Sequence, residues 1–176
     1  MNGLGAIAAC EAVGVDRAIA AADLAHWQSP AGRGKREILQ LDDVENDMIE
    51  LIDDAFNANP ASMGASLSVF VLLHPKARHV AILGDMLELG PDEAAMHAAL
   101  ATLPSVGKIA QIHTSGPRMA HLNAALAPAQ RGTHVAQASQ LLPHLSNLIE
   151  PGDVVLVKGS KGSWVSLCVD ALRNLT

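Results

Sequence analysis

Residues 80–103 read VAILGDMLELGPDEAAMHAALATL, and this stretch decides the fold class. It begins with four consecutive apolar residues, which are typical of a short strand buried on both faces. A loop between Gly84 and Gly90 follows, and the alanine-rich residues 92–103 are predicted to form a helix. A strand, a loop and a helix in this order indicate one unit of a parallel α/β sheet.

The same alternation extends on both sides of this stretch. Further strands are predicted over residues 36–41, 48–52, 108–113, 134–136 and 154–157, and further helices over residues 62–73, 117–127, 139–149 and 164–174. The first two strands flank the turn-rich residues 42–47 and are predicted to pair as a hairpin. We therefore predict an α/β fold: an open, doubly wound, mostly parallel sheet with one antiparallel strand.

The N-terminal segment has a different pattern. Residues 5–25 indicate two short helices that are broken around Gly14, with Asp16 as the N-cap of the second. A linker with one proline and two glycines follows over residues 26–34. A helical pair of this length has little core of its own. We expect residues 1–28 to be the helical tail of a preceding domain and residues 29–176 to be the α/β domain.

Composition limits the classes of function. The 176 residues carry a formal net charge of −6, and only 2% of them are aromatic. Nucleic-acid binding is not expected, because the chain lacks both a basic field and a set of aromatic side chains for base stacking. We expect the partners to be small molecules or another protein surface.

Cysteine and histidine spacing gives no support for a metal site. Cys10 and Cys168 form no CxxC pair, and the histidines show no HExxH spacing. No apolar run reaches the ~18 residues that span a membrane, and the start of the chain is not basic like a signal peptide. The expectations are no bound metal, no membrane insertion and a cytoplasmic location.

Three loops follow strands and precede helices, where open α/β sheets bind ligands. In the first, residues 53–60, Asp53 and Asp54 have carboxylates that can accept hydrogen bonds from sugar hydroxyls. Asn57 and Asn59 offer donors and acceptors to a polar ligand. The ordinary alternative is that these four side chains only stabilise local turns.

The second loop, residues 84–90, contains Asp85 and Glu88, with His97 on the helix that follows. One acid is suited to an ammonium group and the other to holding the imidazole. The alternative is that Asp85 accepts hydrogen bonds from local backbone amides, and that His97 is a satisfied helical histidine without a chemical role.

The third loop, residues 158–163, combines glycines with Lys158 and Lys161 and is a candidate anion site. It lacks the GxxxxGK[ST] spacing of a P-loop, and a solvated surface loop is the alternative. Arg33, between two glycines in the linker, is a fourth candidate for anion binding.

Taken in order, these segments resemble the C-terminal part of the Mur ligase family. The resemblance rests on Gly32-Arg33, residues 53–63 (DDAFNANPASM), residues 84–90 (GDMLELG), His97 and residues 155–160 (VLVKGS). The NANP and GDMLELG strings indicate the branch that adds D-alanyl-D-alanine to a UDP-linked muramoyl tripeptide. Residues 2–9 are similar to a stretch late in the central ATPase domain of the family.

The resemblance implies an ATP- and Mg²⁺-dependent ligase of cytoplasmic peptidoglycan synthesis, with an acyl-phosphate intermediate. It implies catalytic roles for Arg33 and Lys158, with Arg33 approaching the ATP phosphates from the linker. It also implies nucleotide contacts for Asp53 or Asp54, which would hold the ribose hydroxyls, and for Asn57.

The resemblance further implies contacts to the substrate from Asn57, Asn59, Asp85 and Glu88. For Asp85, Glu88 and Lys158 it leaves two roles open, shaping the acceptor site or supporting the loops. Two positions depart from the family pattern. Phe56 stands where the family usually has Tyr, and Ala55 replaces the usual Ser, so two hydroxyl contacts are absent.

The family places its P-loop, its magnesium-binding acids and its UDP-binding domain upstream of these residues. The expected partners are therefore those domains of the same chain, and these 176 residues alone are expected not to catalyse ligation. Two alternatives remain. One is a free-standing α/β module that binds a nucleotide or an anion, and the other is a sister Mur ligase or a folate-polyglutamylating relative.

Overall fold

The computed structural model describes residues 3–41 and 47–175. In this part of the chain the strands are β1 (Lys35–Gln40), β2 (Met48–Asp54), β3 (His79–Gly84), β4 (Gln111–Ser115), β5 (Arg131–Val135) and β6 (Val154–Lys158). The α-helices are α1 (Gly3–Ala12), α2 (Arg17–Asp23), α3 (Pro60–Phe70), α4 (Glu93–Ala99), α5 (Met119–Ala125), α6 (Leu145–Leu148) and α7 (Ser166–Arg173).

The strands form one sheet in the order β1-β2-β6-β3-β4-β5. β1 pairs with β2 in the antiparallel direction, and every other neighbouring pair is parallel. The predicted open, mostly parallel sheet with one antiparallel strand is confirmed. Residues 42–46 of the predicted hairpin turn lie outside the described residues.

Helices cover both faces of the sheet because successive strand side chains point to opposite sides. On β3, Ala81 and Leu83 pack in one core cluster with residues of α3 and α5. Ile82 packs in a second cluster with residues of α6 and α7. The doubly wound arrangement predicted from the sequence is therefore present.

Several element boundaries differ from the predictions. The strand predicted over residues 108–113 begins only at Gln111, because Val106–Lys108 form a 3-10 turn. The helix predicted over residues 139–149 is broken into two 3-10 turns and the short α6. Pro143 lies in this region and has no backbone N–H to continue a helical hydrogen-bond ladder. The last helix begins at Ser166 rather than 164, since Trp164 has a left-handed backbone (φ 58°).

The N-terminal helical pair has the predicted break and cap. The Asp16 side chain accepts hydrogen bonds from the backbone N–H groups of Ala18 and Ile19. Within Gly3–Ala12 and Arg17–Asp23, only Ala20 is buried, and Leu4 is 82% exposed. The pair therefore contributes almost nothing to a hydrophobic core. Among all the described residues, no helix is both long enough and apolar enough to cross a membrane.

Candidate functional site

The carboxyl ends of β2, β6 and β3 lie side by side. Lys158 at the end of β6 is in register with Asp54 of β2 on one side and Leu83 of β3 on the other. Because the strands are parallel, the three loops that follow them meet at one edge of the sheet. These are the three loops that were predicted from the sequence to bind ligands.

Ser160 connects all three loops. Its hydroxyl donates to the carbonyl of Ala58 (3.3 Å) and accepts from the N–H of Leu87 (3.0 Å). Its backbone N–H donates to the carbonyl of Asp85 (3.0 Å). Ser160 is not among the residues predicted from the sequence, because a serine in a glycine-rich loop is a weak signal until its partners on distant loops are known.

Two glycines allow these loops to approach each other closely. A Cβ atom on Gly84 would lie 2.5 Å from the Ser163 hydroxyl, and one on Gly159 would lie 2.7 Å from the same atom. Neither position has room for a larger residue. The backbone at both glycines is therefore packed closely against the side chains of Ser163 and Val165.

Asp53 and Asp54 are adjacent in sequence but have different environments. Asp53 is 3% exposed and accepts hydrogen bonds from the N–H groups of Gly32 (3.0 Å) and Ala55 (3.3 Å). It also accepts from the guanidinium of Arg173 (3.1 Å), which in turn binds Glu37 and lowers the pKa of that carboxyl. Through these hydrogen bonds Asp53 connects the linker and α7 to β2.

Asp54 is partly exposed and lies in an ion pair with a buried lysine. Its Oδ2 atom accepts from Lys158 Nζ (2.7 Å) and from the Ser66 hydroxyl (3.0 Å). Lys158 is 2% exposed and also donates to the carbonyl of Asn57 (3.0 Å). A buried lysine needs such partners, because an unpaired charge in the interior is costly.

The two asparagines make local contacts. Asn57 is exposed, and its side-chain oxygen accepts from the N–H of Ala58 (2.8 Å). Asn59 is the N-cap of α3 and forms a reciprocal capping box with Ser62. Such a cap satisfies backbone donors at the helix start and typically stabilises a helix by about 1 kcal/mol.

Asp85 and His97 stabilise the second loop from inside. Asp85 is buried and accepts from the N–H groups of Met119 (2.8 Å) and Arg118 (3.3 Å) at the start of α5. His97 is fully buried, with Nδ1 2.6 Å from the Glu93 carbonyl and Nε2 accepting from the N–H of Met86 (3.0 Å). Both ring nitrogens therefore have a backbone partner. These contacts agree with the interpretation of His97 as a satisfied helical histidine, and its role stays a prediction.

Glu88 and Arg33 extend toward solvent. Glu88 is exposed and has a left-handed backbone (φ 62°). The guanidinium carbon of Arg33 lies 4.3 Å from the centre of the Phe56 ring, a cation–π distance. Phe56 thus packs against the candidate phosphate-binding arginine. Ala55 is buried in the core.

Some of the candidates line one of two cavities. The first has a volume of about 440 Å³, and its lining includes Arg33, Asp54, Lys158, Ser62 and Ser66. The second has a volume of about 450 Å³, and its lining includes Asp85, Arg118, Gln137, Ser163 and Trp164. Within residues 3–41 and 47–175, no three His, Cys, Asp or Glu side chains are grouped closely enough to hold a metal ion.

An open α/β sheet with cavities that include charged side chains from its carboxyl edge defines a ligand-binding α/β domain. The family model "Mur ligase, glutamate ligase domain" matches residues 39–161. The chain belongs to the Mur ligase family, as the sequence resemblance predicted.

Relatives and solved structures agree with this assignment. The chain is 31% identical over 165 residues to the UDP-N-acetylmuramoyl-tripeptide–D-alanyl-D-alanine ligase of Bacillus subtilis, covering 92% of this chain and 35% of the relative. It therefore spans about a third of the length of the curated relatives it matches. A crystal structure of MurF from Acinetobacter baumannii is similar with a TM-score of 0.76 and 25% identity, over 93% of this chain and 35% of that one.

A second solved structure, the MurF ligase of Thermotoga maritima in complex with ADP, has a TM-score of 0.75. The match covers 96% of this chain and 36% of that one, at 18% identity, and supports the fold.

Proposed function

We propose that this chain acts as the C-terminal domain of an ATP-dependent ligase that joins D-alanyl-D-alanine to a UDP-N-acetylmuramoyl tripeptide. The observation that carries the proposal is the 31% identity to the Bacillus subtilis ligase over 92% of this chain. The ADP in the Thermotoga maritima complex supports a nucleotide as one ligand. The reaction belongs to peptidoglycan synthesis, which we place in the cytoplasm.

The proposed chemistry has two steps. The terminal carboxylate of the tripeptide attacks the γ-phosphoryl group of ATP, which gives an acyl phosphate and ADP. The amine of D-alanyl-D-alanine then attacks the acyl carbon, and an amide bond forms as phosphate leaves. The catalytic needs are stabilisation of charge on the transferring oxygens and exclusion of water.

Arg33 is the residue that we assign to the phosphates. It is exposed on the linker, at the carboxyl edge, and its side chain is supported by Phe56. A guanidinium can donate two parallel hydrogen bonds to phosphate oxygens. Closure of this domain over ATP bound elsewhere in the enzyme would bring Arg33 to the reacting group. We assign no described residue to Mg²⁺, since none of them belongs to a group suited to a metal.

Between the two aspartates, we assign the ribose hydroxyls to Asp54. The carboxylate of Asp53 is buried and accepts hydrogen bonds from two backbone N–H groups and Arg173. Asp54 is partly exposed and lines the first cavity together with Arg33. The internal contacts of Lys158 favour a role in supporting Asp54 and the Asn57 loop over direct contact with the reacting atoms.

The remaining candidates are assigned to the substrate side in two ways. Asn57 and Glu88 are exposed and are placed to contact the incoming dipeptide or the tripeptide. Asn59 and Asp85 support the site through the cap of α3 and the start of α5. Separate UDP-binding and P-loop domains complete the proposed enzyme.

The test is a fusion in which this chain replaces the matching segment of the Bacillus subtilis ligase. We expect the fusion to form the pentapeptide product from ATP, UDP-linked tripeptide and D-alanyl-D-alanine. Arg33→Ala should lower kcat by about 10²–10³-fold, the usual cost of removing one donor to a transition-state anion. Arg17→Ala on α2, an exposed surface pair with Glu11, should stay within about twofold of the parent.

Two outcomes would contradict the proposal. A correctly folded fusion that prefers a single amino acid over D-alanyl-D-alanine as acceptor would indicate a sister ligase. A folded fusion that binds nucleotide but forms no amide with any acceptor would indicate a binding module. Circular dichroism and the thermal transition of the fusion, compared with the parent ligase, establish that it is folded.

A further inference from the structure

Two cations at the carboxyl edge lack a carboxylate partner. Among residues 3–41 and 47–175, no carboxylate oxygen lies within 4.0 Å of the charged groups of Arg33 or Lys161. Both residues are exposed. By contrast, Lys158 and Arg173 near the same edge are each paired with an acid. Unpaired cations that are held near each other produce a local positive potential that favours an anion.

One aromatic ring lies beside both cations. Arg33 comes from the linker and has its guanidinium carbon 4.3 Å from the centre of the Phe56 ring. Lys161 comes from the loop after β6 and has its Nζ atom 5.9 Å from the same centre. Both distances are within the cation–π range of about 6 Å. Phe56 is itself 40% exposed, so the hydrophobic core does not account for its position.

The backbone around Phe56 is held in place. Its N–H donates to the carbonyl of Gly32 (3.1 Å), and the N–H of Gly32 donates to the buried carboxylate of Asp53 (3.0 Å). Gly32 has a φ of +74°, and a Cβ atom there would lie 2.9 Å from the Phe56 Cβ. The linker turn that carries Arg33 is therefore locked against Phe56.

Lys161 is held by a different set of contacts. It begins a 3-10 turn directly after Ser160, the residue that connects the three loops. The Ser163 hydroxyl donates to the Ser160 carbonyl (2.6 Å) and closes that turn. The two cations are thus presented from separate, well-fixed loops beside the Phe56 ring.

We propose that Arg33 and Lys161 form a two-cation site for the polyphosphate of a nucleotide, with Phe56 as the positioning residue for both side chains. The proposal rests on the proposed function for the identity of the nucleotide, which is ATP. A polyphosphate has charged oxygens on successive phosphorus atoms, so two separately mounted cations can bind it at two points. The ring limits the side-chain freedom that would be lost on binding.

The direct test uses the 176-residue chain and inorganic tripolyphosphate as the probe. We expect millimolar tripolyphosphate to shift the NMR signals of the Arg33 Nε–Hε group and of the Lys161 side-chain methylene next to Nζ. Phe56→Leu should reduce both shifts at least threefold, and Phe56→Tyr should retain them. Lys76, an exposed lysine in the loop before β3, is the matched control and should shift little. Equal shifts at Lys76, or unchanged shifts in Phe56→Leu, would overturn the proposal.

Kinetics of the fusion enzyme provide the second test. Lys161→Met and Phe56→Leu should each raise the KM for ATP about tenfold with a smaller change in kcat. Phe56→Tyr keeps an aromatic ring and should have the same KM for ATP as the parent fusion. Lys76→Met should leave both constants unchanged. The double variant Phe56→Leu/Lys161→Met should be less impaired than the product of the single effects, because both act on the same site.

The two tests separate failure of the site from failure of the proposed function. If the parent fusion makes no product but the tripolyphosphate shifts follow the expected pattern, the anion site stands and the assigned reaction is wrong. If the parent fusion is active and Lys161→Met leaves the KM for ATP unchanged, the two-cation site is wrong. Circular dichroism of each variant shows whether the fold is intact.

Discussion

Ser160 shows how one small side chain can determine the geometry of the candidate site. Its hydroxyl and N–H bind backbone groups of Ala58, Leu87 and Asp85, which belong to the loops after β2 and β3. All of these groups lie near the carboxyl edge, and Ser160 is 5% exposed. Loss of the hydroxyl would leave the Leu87 N–H without its partner in a poorly hydrated place.

Ser160→Ala is therefore expected to lower the free energy of unfolding by about 1–3 kcal/mol. Urea denaturation followed by circular dichroism measures this change. Ser139→Ala, at an exposed serine that lines the second cavity, should change the value by less than about 0.5 kcal/mol. Equal stability of the Ser160→Ala variant and the parent would show that the hydroxyl does not hold the loops together.

His113 on β4 makes stability depend on pH. Burial, with a smaller contribution from the charge of Arg78, lowers the pKa of His113 from 6.5 to about 4. Between pH 6.5 and 4 the unfolded chain binds a proton at this residue and the folded chain does not, so stability falls as the pH is lowered. From pH 7 to pH 5 the expected loss is about 2 kcal/mol.

The check is urea denaturation at pH 7 and pH 5 for the parent and for His113→Gln, which cannot titrate. The difference between the two proteins isolates His113 from the other ionisable groups. The parent should lose about 2 kcal/mol more than the variant over this interval. The same loss in both proteins would mean that His113 is accessible and titrates normally in the fold.

The sequence predicted the positions of polar side chains at the strand ends, but not which of them would be internal. Asp53 and Asp54 looked equivalent as neighbours after one strand. Their different environments depend on two distant partners. Arg173 is 120 residues from Asp53 in the chain, and Lys158 is 104 residues from Asp54. Such long-range partners have no local signal in the sequence, so only the folded structure distinguishes the two acids.

At the scale of elements, the continuously apolar strands were the best predicted. β3 and β6 are buried along their whole length, and their apolar runs gave nearly the correct limits. The segment between β5 and β6 was predicted less well, since its alternating 3-10 turns and short α6 have no distinct hydrophobic period. β5 at the sheet edge is longer than predicted, because its half-buried residues are mixed in polarity.

The helical pair α1–α2 is expected to be separable from the sheet. Only Ala20 is buried within Gly3–Ala12 and Arg17–Asp23, so removal of residues 1–28 should take away little of the hydrophobic core. We predict that residues 29–176 unfold at nearly the same urea midpoint as the whole chain and with a similar dependence on urea. A clearly lower midpoint would show that the pair packs on the α/β domain, which would contradict the division at residue 28.

At the scale of the whole molecule, the net charge of −6 contrasts with the positive charge of the proposed two-cation site. Arg33 and Lys161 are two exposed cations at the carboxyl edge of an otherwise acidic chain. An isolated two-cation site holds an anionic ligand weakly, because it contacts one side of the ligand and leaves the other in water. In the proposed enzyme the rest of the ATP site would be provided by another domain, and this one would close over the bound nucleotide.

Isothermal titration calorimetry of ATP into the 176-residue chain tests this arrangement most directly. If the chain provides only the covering half of the ATP site, the dissociation constant for ATP should be higher than about 1 mM. A dissociation constant of that size corresponds to a binding free energy of about −4 kcal/mol. Arg33→Ala should remove even that weak signal. Binding with a micromolar dissociation constant would contradict the arrangement, because it would show that this domain holds a complete nucleotide site by itself.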